Sequence, residues 1–91
     1  MKKGEFIRVS KRMVKEYYNR YVAVREEIPK ITRTNVVLID YEECSEYFRA
    51  ILITTESEGN HYGVTYDRKA NELYSYIYKK ADGRIIGGKN E

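Results

Sequence analysis

Two side chains in this sequence belong to the types that most often act as catalytic bases or nucleophiles, the single histidine and the single cysteine. A general base needs a hydrogen-bonded partner, and the sequence around His61, which follows Asn60 at a predicted turn, identifies none. Cys44 lies between Glu43 and Glu46, whose negative charge disfavours the reactive thiolate. We predict that neither residue is catalytic and that the protein is not an enzyme.

Three glutamates around that cysteine raise the question of a metal site. Metal sites usually collect His, Cys or carboxylate ligands that converge from several segments. Glu42, Glu43 and Glu46 instead stand together in one short polar stretch, which is typical of a solvated turn. The glycine-rich phosphate-binding motifs of nucleotide-binding proteins do not occur in the sequence. We predict neither a metal nor a cofactor.

Tyrosine is the strongest compositional signal, with ten residues among 91. Tyr74, Tyr76 and Tyr78 alternate along a predicted strand, which directs their side chains to one face of a sheet. Tyrosine buries a large area at a low entropy cost and is frequent in binding hot spots. We predict that this stripe, with Phe48 and Leu52 beside it, binds a partner. The alternative interpretation is that the tyrosines fill a core beneath a helix.

One helix and four antiparallel strands are predicted to position these residues within a single domain. The predicted bounds are a lead-in at 1–9, a helix at 10–28, a sheet at 33–80 and a polar tail at 81–91. The predicted fold class is therefore α+β, with an N-terminal helix packed on a four-stranded antiparallel meander. Weak alternation of apolar residues within the lead-in also allows a short extra strand at 5–9.

The helix is predicted from its boundary residues and from the spacing of its apolar residues. Ser10 is a suitable N-cap. Pro29 ends the helix, because the residue before a proline avoids helical backbone angles. The apolar stripe expected to face the sheet consists of Met13, Tyr17, Tyr21, Val24 and Ile28.

The register of the sheet follows from two predicted turns, with Glu56 opposite His61 and Asp67 opposite Glu72. In that register the more aliphatic face, which we expect the helix to cover, collects Ile51, Ile53, Tyr62, Val64, Tyr66, Leu73 and Ile77. The opposite face collects Phe48, Ala50, Leu52, Thr65, Tyr74, Tyr76 and Tyr78. One helix covers only one face of a four-stranded sheet. We therefore predict that another chain covers the tyrosine face.

The order of a short strand, a helix and a four-stranded meander resembles that of cystatin-like folds. The glutamine-valine-glycine hairpin of cystatin inhibitors is absent, and the equivalent turn consists of residues 41–45, so no inhibitory activity is implied. The length, the basic start and the C-terminal strands also resemble RelE-type ribosome-dependent ribonucleases. Those enzymes have two helices before the sheet, whereas one is predicted here.

Charge is distributed unevenly along the chain. Residues 1–33 contain ten Lys or Arg against four Glu, and residues 34–66 contain one Arg against six Asp or Glu. These segments either neutralise each other across the fold or form two surfaces of opposite sign for different partners. The sequence contains no apolar run near the ~20 residues of a membrane span. The lone cysteine is typical of a reducing compartment, so we expect a cytoplasmic protein without a membrane partner.

These patterns favour a small non-enzymatic protein-binding module, an inhibitor or adaptor of the kind that phages and mobile elements encode. Its predicted partner is another protein or a second copy of itself in a homodimer. One alternative is a nucleic-acid-binding protein whose phosphate contacts are Lys2, Lys3, Arg8, Lys11, Arg12, Lys15 and Arg20. The acidic strands argue against a phosphate backbone lying across the sheet. A second alternative is a small RelE-like ribonuclease that uses His61 with Lys or Arg partners.

Overall fold

The computed structural model describes residues 1–55, 60–79 and 84–90, with side chains described as far as Ile77. The helical segment consists of α1 (Lys3–Tyr17), a π turn (Tyr18–Val22) and α2 (Ala23–Glu26). A 3₁₀ turn (Arg33–Asn35) leads to five antiparallel strands in meander order, β1 (Val36–Glu43), β2 (Tyr47–Thr54), β3 (Asn60–Asp67), β4 (Glu72–Lys79) and β5 (Arg84–Asn90). The predicted fold class is confirmed, since an N-terminal helical segment packs on an antiparallel meander sheet.

The helical segment begins at Lys3, so the predicted lead-in, its short strand and the N-cap at Ser10 were wrong. Ser10 is buried inside α1, and its hydroxyl donates a hydrogen bond to the carbonyl of Phe6 at 2.8 Å. Phe6 is fully buried, with its ring 5.5 Å from that of Phe48 on β2. Burial of that large apolar surface stabilises a helical start that the local sequence pattern did not indicate.

The helix faces the sheet with a different stripe from the one predicted. The buried residues are Phe6, Ser10, Val14, Tyr18 and Val22, at regular steps of four. Met13 and Tyr17 are half-buried, whereas Tyr21, Val24 and Ile28 are exposed. A step of four residues advances about 40° around an α-helix of 3.6 residues per turn. The wider π turn offsets this drift at Tyr18–Val22 and keeps the last two buried residues on the sheet side.

The helical segment ends in a Schellman-type arrangement two residues before the predicted end. Glu27 adopts a left-handed conformation with φ 54°. The Ile28 N–H donates to the Ala23 carbonyl at 3.0 Å, which satisfies a carbonyl that the end of the helix would leave unpaired. Pro29 then prevents the helix from continuing.

A side chain of the π turn fixes the connection between the helix and the sheet. The Asn19 amide donates to the carbonyl of Ile31 at 2.9 Å and accepts from the N–H of Ile31 at 2.7 Å. Ile31 is itself buried in the core. The pair of hydrogen bonds therefore satisfies both backbone groups of a buried connecting residue.

The register of β3 against β4 is as predicted, with Asp67 opposite Glu72, but the register of β2 against β3 is not. Leu52 opposes Tyr62, so β2 is displaced by an odd number of residues from the predicted pairing. An odd displacement exchanges the two faces of a strand. Even-numbered residues of β2 therefore face the helix, including Phe48, Ala50 and Leu52, which are 2% exposed or less.

The two edges of the sheet also differ from the prediction. β1 contains a bulge between Leu38 and Asp40, which leaves Ile39 outside the regular pairing and 48% exposed. β5 occupies most of the predicted polar tail and pairs with β4, so that prediction was wrong. Adjacent glycines, Gly87 and Gly88, weaken the strand signal of this segment in the sequence. Some of the predicted features lie outside the described residues. These are the part of the predicted β2–β3 turn at 57–59, the segment 80–83, and the side chains of 78, 79 and 84–90.

Candidate outer-face binding site

The sheet has an inner face, which the helical segment covers, and an outer face on the other side. The described outer face is formed by alternate residues of β1 to β4, namely Val37, Asp40, Glu42, Tyr47, Arg49, Ile51, Ile53, His61, Gly63, Thr65, Asp67, Glu72, Tyr74 and Tyr76. Apart from Gly63, these residues have half-buried or exposed side chains, whereas most side chains that face the helix are buried. No described helix covers this face, so it is a candidate interface.

Tyr76 lies on the outer face, in the middle of β4, between two glycines. Gly63 on β3 and Gly87 on β5 are its direct cross-strand neighbours. Neither glycine has a side chain, so those two positions provide no side-chain contact to the tyrosine ring, which is half-buried. An aromatic side chain in this setting presents a large contact area to an approaching surface.

A depression of about 730 Å³ opens beside the Tyr76 ring, where β2 and β4 begin and β3 ends. It is lined by Glu46, Tyr47, Thr65, Asp67, Lys69, Ala70, Tyr74 and Tyr76. Three tyrosines and two carboxylates therefore converge on one concave part of the surface. We call this feature the tyrosine depression.

Carboxylates hold two of these tyrosine rings in place. The Tyr74 hydroxyl donates to Glu72 at 2.6 Å, and the Tyr47 hydroxyl donates to Glu42. Arg49 donates to the same Glu42 oxygen at 2.8 Å in an exposed ion pair. The hydrogen bond to Glu42 raises the pKa of Tyr47, whereas that bond and the one from Arg49 lower the pKa of Glu42. The rings thus carry protonated hydroxyls with fixed orientations.

The carboxylates of Glu46 and Asp67 line the tyrosine depression itself. Asp67 caps the β3–β4 turn, where its Oδ1 accepts from the N–H groups of Lys69 and Ala70 at 3.0 and 2.9 Å. Within the described part of the chain, neither Asp67 nor Glu46 forms a salt bridge, although Lys69 also lines the depression. Their negative charge is therefore directed to the solvent side of the site.

The two exposed sides of the molecule carry opposite charge. The described outer face has four carboxylates, those of Asp40, Glu42, Asp67 and Glu72, against the guanidinium of Arg49. On α1, Arg8, Lys11, Arg12 and Lys15 have the spacing of a single helical stripe, opposite the buried one. Among the described residues no salt bridge joins this stripe to the sheet. The arrangement favours two separate surfaces over mutual neutralisation.

The structure places the predicted partner-binding residues on two different faces. Tyr74 and Tyr76 lie on the outer face, and the side chain of Tyr78 lies outside the described residues. Phe48 and Leu52 lie in the core, so their assignment to an exposed patch was wrong. Ile51, Ile53 and Tyr47 belong to the outer face instead, and the sequence prediction missed them. Only the β2–β3 register would have identified them.

The two candidate catalytic residues lie far apart. His61 is six residues before Asp67 on β3, and Asp67 pairs with Tyr47 beside the turn that contains Cys44. At about 3.3 Å per residue, the histidine and the cysteine are separated by roughly 20 Å. They therefore do not form a Cys–His pair. The described residues also contain no group of three or more His, Cys, Asp or Glu side chains that could hold a metal ion.

Together these features define a small α+β domain in which the helical segment covers one sheet face and no described helix covers the other, whose described side chains include four carboxylates and three tyrosines. The chain belongs to a family of unknown function (DUF6275), whose profile matches residues 7–87. Comparison with curated proteins and with solved structures gives no match. Within the described residues, no helix has the length and apolar character required to cross a membrane.

Proposed function

We propose that this protein is a small non-enzymatic binding module that docks another protein on the outer face of its sheet. The observation that carries the proposal is the outer face, which no described helix covers, and on which half-buried Ile51 and Ile53 of β2 and Tyr74 and Tyr76 of β4 flank β3. Apolar and aromatic side chains that a fold leaves partly exposed on one face are typical of interaction sites. An inhibitor or adaptor in the cytoplasm is the role that we propose for such a module.

The charge of the outer face favours a partner with a basic contact surface. The described outer face carries four carboxylates against one guanidinium, and complementary charge increases both the rate and the specificity of association. Sheet-to-sheet packing of two copies would bring two acidic faces together, and like charges across an interface oppose association. We therefore propose a different protein rather than a second copy as the occupant.

Photocross-linking from position 76 on the outer face tests this proposal. We expect p-benzoylphenylalanine at position 76 to capture a partner, whereas the same group at position 21, an exposed tyrosine on the helical segment, captures none. With the captured partner purified, Tyr76→Glu should weaken binding by at least roughly tenfold, and Tyr21→Glu should leave it unchanged. Circular dichroism should show that both variants remain folded.

Three results would contradict outer-face docking. The first is binding that Tyr76→Glu leaves intact. The second is cross-linking from position 21 instead of position 76. The third is a Tyr76→Glu variant that melts far below the wild type without any change in binding, because that result makes Tyr76 a core residue. If light scattering detects a dimer and the cross-links join two copies of this chain, the occupant of the outer face is a second copy and not a different protein.

Nucleic-acid binding through the helical segment is a second candidate function. It is supported by the helical spacing of Arg8, Lys11, Arg12 and Lys15, a half-buried to exposed stripe that forms no salt bridge to the sheet among the described residues. Each phosphate contact makes the logarithm of the affinity fall more steeply with the logarithm of salt concentration. If this candidate is right, a labelled duplex or single strand will bind with sub-micromolar affinity at near-physiological salt. We expect only weak, salt-sensitive binding.

A further inference from the structure

We propose that the tyrosine depression receives an arginine side chain of the docked partner. This inference rests on the proposed function and deepens it, because it names the chemical group that the outer face recognises. The depression combines the faces or edges of Tyr47, Tyr74 and Tyr76 with the carboxylates of Glu46 and Asp67. Rings attract a cation through their quadrupole, and carboxylates accept its N–H donors.

The same chemistry already occurs within this chain, next to the depression. The guanidinium of Arg49 lies 5.4 Å from the centre of the Tyr47 ring while it donates to Glu42 at 2.8 Å. On the other side of β2, the guanidinium of Arg68 lies 4.8 Å from the centre of the Phe48 ring. Arg68 donates to the backbone carbonyl of Cys44 at 3.1 Å, so a guanidinium on an aromatic ring recurs in this sheet, and at Arg49 a carboxylate completes the contact. The tyrosine depression repeats the ring and the carboxylate but has no guanidinium among its lining residues.

The carboxylates of the depression retain hydrogen-bonding capacity within the described part of the chain. In the described part of the chain, Asp67 uses only Oδ1 for the β3–β4 turn, and the carboxylate of Glu46 has no hydrogen-bond donor. Among the described lining residues the basic one is Lys69, and it forms a salt bridge with neither carboxylate. Within the described part of the site, a cation from outside therefore meets two carboxylates without an ion-pair partner.

The combination of aromatic rings and carboxylates favours arginine over lysine. A guanidinium is planar, so it stacks on an aromatic face and donates along its edge at the same time. An ammonium is a strongly hydrated point charge that loses more solvation when it enters such a site. The volume of the depression, about 730 Å³, is also large enough for an arginine side chain together with the adjacent backbone of the partner.

An NMR titration with short peptides tests the inference. The probes are acetyl-Gly-Arg-Gly-amide, the same peptide with citrulline, which keeps the shape but lacks the charge, and the same peptide with lysine. We expect the arginine peptide to shift amide signals of Thr65, Asp67 and Tyr74. The citrulline peptide should bind at least roughly fivefold more weakly than the arginine peptide. The affinity of the lysine peptide should fall between those of the other two.

Two charge-neutral variants with a matched control locate the site. Asp67→Asn keeps an oxygen that can cap the β3–β4 turn, and Glu46→Gln lies on an exposed side chain, so both should fold. Each variant should bind the arginine peptide at least roughly threefold more weakly than the wild type does. Asp40→Asn, on the same face but at the far edge strand, should have no effect on the titration.

The outcomes separate this inference from the proposed function. Equal binding of the arginine and citrulline peptides, or shifts spread equally over Glu26 and Glu27 of the helical segment, would overturn the arginine site. Cross-linking of a partner at position 76 together with such a result would overturn the arginine site alone and support outer-face docking. Arginine-selective shifts without any cross-linked partner would support the site and contradict the proposed docking function.

Discussion

The inner and outer faces of one sheet follow different rules in this protein. The inner face is filled with apolar side chains that are almost fully buried, such as Ala50, Leu52 and Val64. The outer face alternates with it along the same strands, yet its isoleucines and tyrosines are only half-buried, and carboxylates surround them. Ile51 is as hydrophobic as Leu52. Hydrophobicity alone therefore does not select the covered face, and the position of the helix does.

The two faces also differ in how their tyrosines are buried. Tyr62 and Tyr66 on β3 are buried beneath the helix, and Tyr66 donates to Asn71 in the adjoining turn. Tyr74 and Tyr76 on β4 lie on the outer face. A tyrosine can occupy either setting because its ring is apolar and its hydroxyl is polar. Composition therefore indicates a tyrosine-rich sheet without indicating how the tyrosines divide between core and surface.

The largest expected effect concerns the helical contribution to the inner face. We expect Phe6→Ala to lower the free energy of unfolding by about 3–5 kcal/mol, because a fully buried ring is removed from its contact with Phe48. Val24→Ala, on an exposed residue of α2, should change it by less than ~0.5 kcal/mol. Urea unfolding measures both. A loss below ~1 kcal/mol for Phe6→Ala would place the start of α1 outside the core.

Neighbouring residues of β2 provide a closer comparison of the two faces. Leu52→Ala should cost about 2–5 kcal/mol of stability, because it leaves a cavity beneath the helix. Ile51→Ala removes a side chain of similar size from the outer face and should cost distinctly less, about 1 kcal/mol. Both values come from the same urea experiment. The reverse order would show that the β2 register is shifted by one residue.

The smallest expected effect is a pKa change on the outer face. The hydrogen bond from Tyr47 is the main reason that the pKa of Glu42 lies below its ordinary value of 4.5. Because the folded-state pKa is lowered, the stabilisation is present above the unfolded pKa and is lost as the pH falls through the folded pKa. Tyr47→Phe should therefore raise the pKa of Glu42, as measured by carboxyl ¹³C NMR.

The matched control for that titration is Tyr76→Phe, which removes a hydroxyl from the same face without removing a bond to Glu42. We expect this variant to leave the Glu42 titration unchanged. The stability difference between wild type and Tyr47→Phe should be small at neutral pH, because exposed ion pairs and their hydrogen bonds contribute little. A Glu42 titration that Tyr47→Phe does not move would exclude the hydrogen bond as the cause.

The sequence by itself determined the fold class and the faces of β3 and β4. Strand alternation, turn residues and a helix ended by Pro29 follow from local backbone chemistry, which the order of residues specifies directly. The Asp67–Glu72 pairing follows from a short turn whose capping carboxylate is local to it. Tyr74 and Tyr76 were consequently assigned to the correct face.

Only the tertiary structure decided where the helix begins, which side of it is buried and which face of β2 it covers. Phe6 becomes helical because its ring packs on Phe48, a residue more than forty positions away. The face of β2 depends on an odd or even displacement against β3, and helix burial favours the one that places Leu52 inside. Long-range packing sets these features, so the alternation of residues within a strand does not encode them.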